Sequence, residues 1–555
     1  MLARLIQQTR PVFYAAMVLS VLNGVANVGL VSLINEILNA DGAARYPWLW
    51  GFAAIAIVAL GLQVGTRILS ERLTHGSQAS IRSRVAEHAS NARYQHLEKV
   101  GEARIRTALT DYCHDVAEFF VSLPVMLTNG IVVVGCMLYM LSLSWPIFLL
   151  ACLTLLLGSA GYHLVHMRAI KHLHVAATEQ ERLFGHFDSL TAGAKELRLH
   201  RHKRELFSQQ VLGNSIETVR RGKTTGMSVF ALASGWGRFL IFAFIGLVLF
   251  LLAANNDQER VMTGIALLFL FMINPLEVLL LSIPRANMAK IAAGKIEAIC
   301  DELKMEEASA SVTPTGFHKI AMHGVIHRYF HEQSDEFFTL GPVNVSFRPG
   351  ELVFLVGGNG SGKTTLAKLL IGLYVPEDGQ IELDGKVVSH ASRDEYRQLF
   401  SAIFSDFHLF ERLLESPRVD LDEAGNRLLT KLHLQHKVQI KDGAFTTRAL
   451  SQGQRKRLAL VVAYLEDRPF LLFDEWAADQ DPAFKDVFYR ELLPELKAQG
   501  KTVVVISHDD RYFHLADRLL KMEDGQLREM ALEADSAPAQ TEPVMTRAEG
   551  AASVQ

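Results

Sequence analysis

Six long apolar runs occupy the first half of the chain and restrict what it can fold into. They lie at roughly 11–36, 48–69, 118–142, 146–164, 228–253 and 261–284, each near the ~20 residues that cross the hydrocarbon core of a bilayer. Lipid offers no hydrogen bonds, so a single span must satisfy its own backbone, and these runs are expected to be helices. The chain has 555 residues, 49% hydrophobic and 21% charged, too long for one domain and apolar enough for much of it to sit in a membrane. A net charge of −3 gives no reason to expect nucleic acid as a partner. The first run is too long for a cleavable signal and lacks a small-residue cleavage pattern.

The connections between runs are unequal. Asn39–Pro47, Ser142–Trp145 and Ala254–Arg260 are short and weakly charged, whereas the other two are long and rich in Lys and Arg. The positive-inside tendency therefore places the long connections, and both termini, in the cytoplasm. Arg72–Leu97 and Ala177–Glu217 carry apolar residues at helical spacing, so the membrane helices are expected to continue outward, turn near Ile105–Asp111 and Thr191–Leu199, and return. These turns are natural docking points for a second domain. Within the apolar runs, Asn23 and Asn27 lie four residues apart, Arg238 interrupts the fifth run and Glu277 the sixth. Ionisable groups at that depth usually face a bundle interior or a water-filled cavity. A partly polar translocation cavity including Arg238 and Glu277 is weighed against helix–helix bonding for the asparagines and snorkelling for the charges. The four cysteines, Cys113, Cys136, Cys152 and Cys300, are widely spaced and read as packing residues.

The pattern changes after residue 304. Residues 1–304 read as the membrane domain, 305–318 as a linker containing Thr313-Pro314, and 319–532 as an α/β domain. Residues 533–555, rich in Ala, Ser, Pro and Glu, read as disordered. In the α/β part, Gly357-Gly358-Asn359-Gly360-Ser361-Gly362-Lys363-Thr364-Thr365 follows the strand-like Leu352–Val356 and opens a helix. That setting makes a phosphate-binding loop. The glycines let backbone N–H groups face a phosphate, and the helix N-terminus adds positive potential. Lys363 reaches the β- and γ-phosphates of ATP, and Thr364 is a ligand for Mg²⁺. Farther on, Phe470–Phe473 reads as a buried strand ending in Asp474-Glu475. Asp474 is placed to hold the metal and Glu475 to polarise the attacking water. Val503–Ile506 is another strand, with His508 just beyond it in reach of the γ-phosphate.

Leu450-Ser451-Gln452-Gly453-Gln454 resembles the signature loop of ATP-binding-cassette proteins, and the resemblance extends over nearly the whole chain. It implies a six-helix exporter-type membrane domain fused to an α/β P-loop nucleotide-binding domain, hydrolysing ATP with Mg²⁺. It also implies that Ser451, Gly453 and Gln454 of one subunit cap the ATP of another, so a second copy of the chain completes each site. By the same resemblance Tyr329 stacks on adenine and Asp481 contacts the partner's site. Three positions depart from the family pattern: Gln452 replaces a signature glycine, Trp476 stands where proline often follows the acidic pair, and Ser405 stands where a glutamine would meet the metal. Ser405 acting through water, or the adjacent Asp406, would have to serve instead.

Phe404–Phe410, the phosphate loop, Asp474–Pro482 and the Gly193–Leu199 turn are similar to those of bacterial cyclic-peptide and siderophore exporters, among them exporters of a pyoverdine precursor and of a microcin. The resemblance implies outward transport of a peptide, foremost a siderophore precursor, across the bacterial inner membrane. A lipid or drug exporter of the same architecture, and a non-transporting ATP-switched regulator, are the alternatives. The first run begins close to residue 1, which leaves no room for a leader-processing protease domain ahead of it.

Overall fold

Backbone that cannot bond to lipid closes on itself, and the described residues of the first half are helical apart from short breaks. The computed structural model describes residues 10–39, 45–253, 259–306, 316–331, 336–414 and 420–531. The chain divides into two units, Met1–Glu87 with Glu102–Asp301, and His88–Gly101 with Glu302–Gln555. Most of the 305–318 linker, and the 533–555 tail, lie outside the described residues.

The first unit holds α1 (Arg10–Asn39), α2 (Arg45–Ser90), α4 (Glu102–Thr107), α5 (Cys113–Leu143), α6 (Trp145–Ala192), α7 (Ala194–Leu199), α8 (Arg201–Leu206), α9 (Gly213–Ala253) and α10 (Glu259–Glu302). Short α3 (Tyr94–Val100) belongs to the second unit. Arg10–Leu38, Tyr46–Ser90, Glu102–Leu143 and Gly264–Ser282 are long and apolar enough to cross a membrane, and shorter apolar stretches, Trp145–Gly161 and Gly235–Val248, fall in α6 and α9. Each expected run thus coincides with an apolar helix.

Small residues set the close approaches in this unit. A Cβ on Gly24 of α1 would stand 2.8 Å from Ile131 of α5, and one on Gly135 would stand 2.6 Å from Val28. Such contacts replace the hydrophobic driving force that lipid removes. Asn27 donates to the Asn23 carbonyl at 2.8 Å and to its Oδ1 at 3.1 Å, bonds within one helix rather than the helix–helix bonding weighed for that pair. Among the described residues a core of Val31, Cys136, Met140, Phe244, Phe269 and Met272 joins α1, α5, α9 and α10. All four cysteines are free thiols, and Cys113, Cys136 and Cys300 are buried.

The first long connection turns earlier than expected. The chain leaves helix at 91–93 and again at Gly101, whose φ of +80° suits glycine, whereas 105–111 is helical and passes through a π-turn at Ala108–Tyr112. Asn91 and Gly101 were the only punctuation there, too weak to fix the turn against continuous helical periodicity. The second connection breaks at Gly193, within the expected Thr191–Leu199.

The second unit is built on two sheets. A six-stranded sheet runs β12 (Gln526–Met530), β11 (Arg518–Glu523), β3 (Leu352–Gly357), β10 (Thr502–Ile506), β9 (Phe470–Asp474), β6 (Phe400–Ile403), and a four-stranded one runs β2 (Glu336–Phe347), β1 (Ile320–His331), β4 (Asp378–Leu383), β5 (Lys386–Val387). In the larger sheet all pairings are parallel except β11–β12. Strands β3, β9 and β10 are buried on both faces, which explains their unbroken apolar sequence. One core, including Leu355, Leu366, Phe470 and Ile506, packs α11 (Lys363–Leu370) between the sheets and takes in Tyr396 of short α12 (Arg393–Arg397). The other lies against α13 (Leu421–Lys431), α14 (Gln452–Glu466) and the hairpin of β7 (Ile440–Lys441) and β8 (Ala444–Phe445).

Candidate ATP site

Parallel strands deliver their C-terminal ends to one edge, where loops leave the sheet and ligands usually bind. Here β3 ends in the glycine loop, β9 in Asp474-Glu475 and β10 in Ser507-His508. The register places Asp474 beside Ile506, and the Glu475 N–H donates to the Ile506 carbonyl at 3.1 Å.

The loop has the shape of an anion cradle. Gly360 and Gly362 adopt φ of +78° and +102°, open to glycine and costly for other residues. Lys363, buried at the first position of α11, donates to the carbonyls of Gly357 and Gly358 at 3.0 and 2.8 Å, which holds its ammonium over the loop. Burial lowers its pKa, opposed by the charges of Glu475 and Asp474. The Ser361 hydroxyl is buried and has no hydrogen-bond partner among the described residues, as expected of a group meant for a ligand. Asn359 and Thr365 lie on the same loop and helix start.

Thr364 Oγ1 donates to Asp474 Oδ2 at 2.9 Å, so the two oxygen donors expected to hold Mg²⁺ already share one point. Burial raises the Asp474 pKa; Glu475 and Asp406 push the same way, while the Thr364 bond and Lys363 oppose them. A buried carboxylate beside a hydroxyl, with a lysine opposite, fits a hard, oxygen-seeking cation. Ser405 and Asp406 are both exposed on the loop after β6.

Glu475 Oε1 lies 3.0 Å from His508 Nε2. Its backbone is left-handed, with φ of +51°, a conformation a non-glycine residue holds only when its surroundings impose it. Ser507 is fixed from behind by Tyr489 at 2.7 Å.

The signature residues begin α14. Ser451 is its N-cap, its Oγ accepting from the Gln454 N–H while the Gln454 side chain accepts from the Ser451 N–H. Accepting that bond leaves the hydroxyl proton free to point outward, beside a helix N-terminus. Gly453 cannot be larger, since a Cβ there would stand 2.8 Å from the Asp479 carbonyl. Asp481 caps the helix Pro482–Val487 by accepting from Phe484 at 2.9 Å, a bond that lowers its pKa together with Arg457. Tyr329 is on β1 opposite Phe338, and its side chain lies outside the described residues.

Several residues here escaped sequence reasoning. Lys456, Asp479 and Gln480 tie the signature helix to the segment behind Glu475. Lys368 on the phosphate-loop helix and Tyr374 just beyond its end bond Glu98 of α3 at 2.8 and 2.5 Å. A lysine inside a helix or a glutamate in a charged connection looks like a solvated residue; only the fold reveals its partner.

Comparison with known proteins places the chain in a family and gives its fold a solved counterpart. Residues 340–478 match the family model described as ABC transporter. Over 539 residues the chain is 35% identical to the ATP-binding protein SyrD of Pseudomonas syringae pv. syringae, covering 94% of this chain and 95% of that protein. It is 29% identical to the probable syringafactin export ATP-binding/permease protein SyfD of the same pathovar, over 38% of this chain and 33% of that one. It is 31% identical to the toxin RTX-I translocation ATP-binding protein of Actinobacillus pleuropneumoniae, over 36% and 30%. A bacterial Atm1-family ABC exporter solved with ATP bound shares the fold, with a TM-score of 0.73 over 94% of both chains at 14% identity.

Proposed function

This chain belongs to the ABC transporter family, and we propose that within it the protein exports a peptide, foremost a siderophore precursor of the pyoverdine type, across the bacterial inner membrane. The observation that favours a charged peptide is the pairing of Arg238 with Glu277. One Nη2 of Arg238 donates to both Glu277 oxygens, at 2.8 and 2.6 Å. Arg238 lies 15 residues from the Ala253 end of α9 and Glu277 18 residues from the Glu259 end of α10. At ~1.5 Å per residue these are similar depths, about 22 and 27 Å from the outer ends. Charges at that depth belong on a wet or protein-lined face rather than in lipid. A guanidinium beside a carboxylate offers complementary partners to the termini and side chains of a peptide, and little to an acyl chain. The relatives named for export of syringafactin and translocation of a toxin favour the same direction of transport.

In this reading two copies assemble with both termini cytoplasmic and form two composite sites. Residues Gly357–Thr365 of one copy hold the phosphates of ATP, and Tyr329 stacks on the adenine. Ser451, Gly453 and Gln454 of the other close over them, with Asp481 at the contact. Thr364 and Asp474 would hold Mg²⁺, assisted by Ser405 or Asp406 at the loop after β6, and the ion would supply positive charge against the phosphates. Glu475 accepts the proton of the attacking water as its oxygen bonds to the γ-phosphorus. The bond to the bridging oxygen breaks, and ADP and phosphate leave. His508 orients Glu475 and the γ-phosphate. Closure of the two nucleotide domains turns the membrane helices outward, and hydrolysis resets them.

The test is ATP hydrolysis by the protein in lipid nanodiscs with peptide, phospholipid or a cationic drug added. The siderophore-precursor peptide is expected to raise the rate, and Arg238→Gln to remove that rise while sparing the basal rate. Stimulation by lipid or drug alone would overturn the peptide reading and leave the ATPase intact.

A further inference from the structure

Lys456 is a charged side chain where charge is expensive. It lies on the second turn of α14 with 3% of its side chain exposed, and an ammonium so placed must be well paired. Its Nζ donates to the Glu475 carbonyl at 2.9 Å and lies 2.7 Å from Asp479 Oδ2. The same Asp479 oxygen accepts from Gln452 Nε2 at 3.0 Å. Two more bonds join these segments: Gln480 Nε2 to the Gly453 carbonyl at 3.0 Å, and Trp476 Nε1 to the Lys456 carbonyl at 2.8 Å. Gln452 and Trp476, which break the family pattern, thus share one network with Lys456 and Asp479.

The network ends on Glu475. That residue sits in the left-handed region, and both its main-chain polar groups are held, the N–H by Ile506 and the carbonyl by Lys456 at 2.9 Å and the Ala478 N–H at 3.2 Å. The lysine is the side chain among these main-chain restraints, and with His508 on the carboxylate it sets the direction of Glu475. At the other end, Gln452 is the first residue of α14, next to the Ser451 hydroxyl at the helix N-terminus.

We propose that Lys456, with Asp479 and Gln452, is a positioning device for Glu475, through which an anion held at the Ser451 end of α14 sets the geometry of the same chain's own water-activating carboxylate. In a pair of chains that anion is the phosphate of the partner's ATP, so ATP in one site governs hydrolysis in the other. The inference rests on the role proposed above for Glu475.

The experiment compares steady-state hydrolysis and binding of a fluorescent ATP analogue by the full-length protein in nanodiscs. Lys456→Met is expected to lower kcat by at least about 10-fold, since a misplacement of ~1 Å can cost ~100-fold. KM and analogue binding stay within about two-fold, the signature of an interaction felt in the transition state. Lys456→Arg recovers part of kcat. Gln452→Ala, at an exposed position, is expected to lower kcat less than Lys456→Met does, and to bring the Hill coefficient from above 1 in the parent to 1. Unchanged kcat in Lys456→Met, or a parent Hill coefficient of 1, overturns the proposal. So does a parallel loss of kcat, binding and melting temperature, which marks a purely structural role. Should Lys456→Met fail to fold, Asp479→Asn, at a half-exposed partner, decides by the same criteria. Glu475→Gln is the control: full activity there removes the base assignment itself, a result separate from failure of the lysine.

Discussion

At the residue scale, the phosphate loop and the acidic pair were legible because their chemistry leaves little choice of side chain. A loop that must turn N–H groups toward phosphate needs glycine, and an acid must end a buried strand beside it. Those positions meet at one edge of the sheet, with Thr364 on Asp474 and His508 on Glu475. Lys363→Ala is expected to abolish ATP-dependent transport, read as loss of both analogue binding and turnover. Glu475→Gln should keep ATP bound while lowering turnover by ~10²–10⁴-fold, the usual contribution of a general base; undiminished steady-state hydrolysis would remove its role. The Lys456–Asp479 contact was invisible because it joins residues 23 apart through tertiary packing. Nothing in a one-dimensional pattern distinguishes it from two solvated charges.

At the scale of elements, long helices and buried strands followed from periodicity and length, whereas the turn in the first long connection did not. Helical spacing persists through 105–111, so the break at 91–101 depends on contacts of α3 with its own unit. Glu98 bridges Lys368 and Tyr374, and Arg93 N–H bonds the Lys304 carbonyl at 3.3 Å. Glu98→Ala should destabilise that unit by about 1–3 kcal/mol, the cost of orphaning two part-buried groups, read by thermal unfolding. Burial pushes the Tyr374 hydroxyl up to about 12, with Glu98 acting in the same direction. Burial opposes the Lys368 charge, but Glu98 and the tyrosines outweigh it and raise its pKa. Both groups hold their protons more tightly folded than unfolded. Their contribution is therefore complete below about pH 10, and is lost as pH rises through the folded values. Thermal unfolding of the second unit should fall between pH 10 and 12, less steeply in Glu98→Ala. Trp476, fully buried and stacked on Phe488 at 4.3 Å, ties the signature helix to the sheet. Trp476→Ala should cost about 3–5 kcal/mol.

At the scale of the whole molecule, exposed apolar side chains and the single copy of each motif are the informative features. Trp50, Ile57 and Phe250 are each more than 70% exposed on the apolar helices, a surface suited to lipid and poorly suited to water. One phosphate loop and one signature per chain make a second copy the simplest completion of the ATP site, so the protein in nanodiscs should have the mass of two chains when Glu475→Gln is loaded with ATP. The substrate was the least legible property, because the ATP motifs do not touch cargo and the Arg238–Glu277 contact pairs two residues 39 apart. The most direct measurement is ATP-driven uptake of a labelled siderophore-precursor peptide into inside-out membrane vesicles, with a fluorescent phospholipid followed in parallel. Peptide accumulation by the parent protein, absent in Glu475→Gln, is the expected result. ATP-dependent movement of the lipid with none of the peptide would contradict peptide export while leaving the ATP-hydrolysing transporter in place.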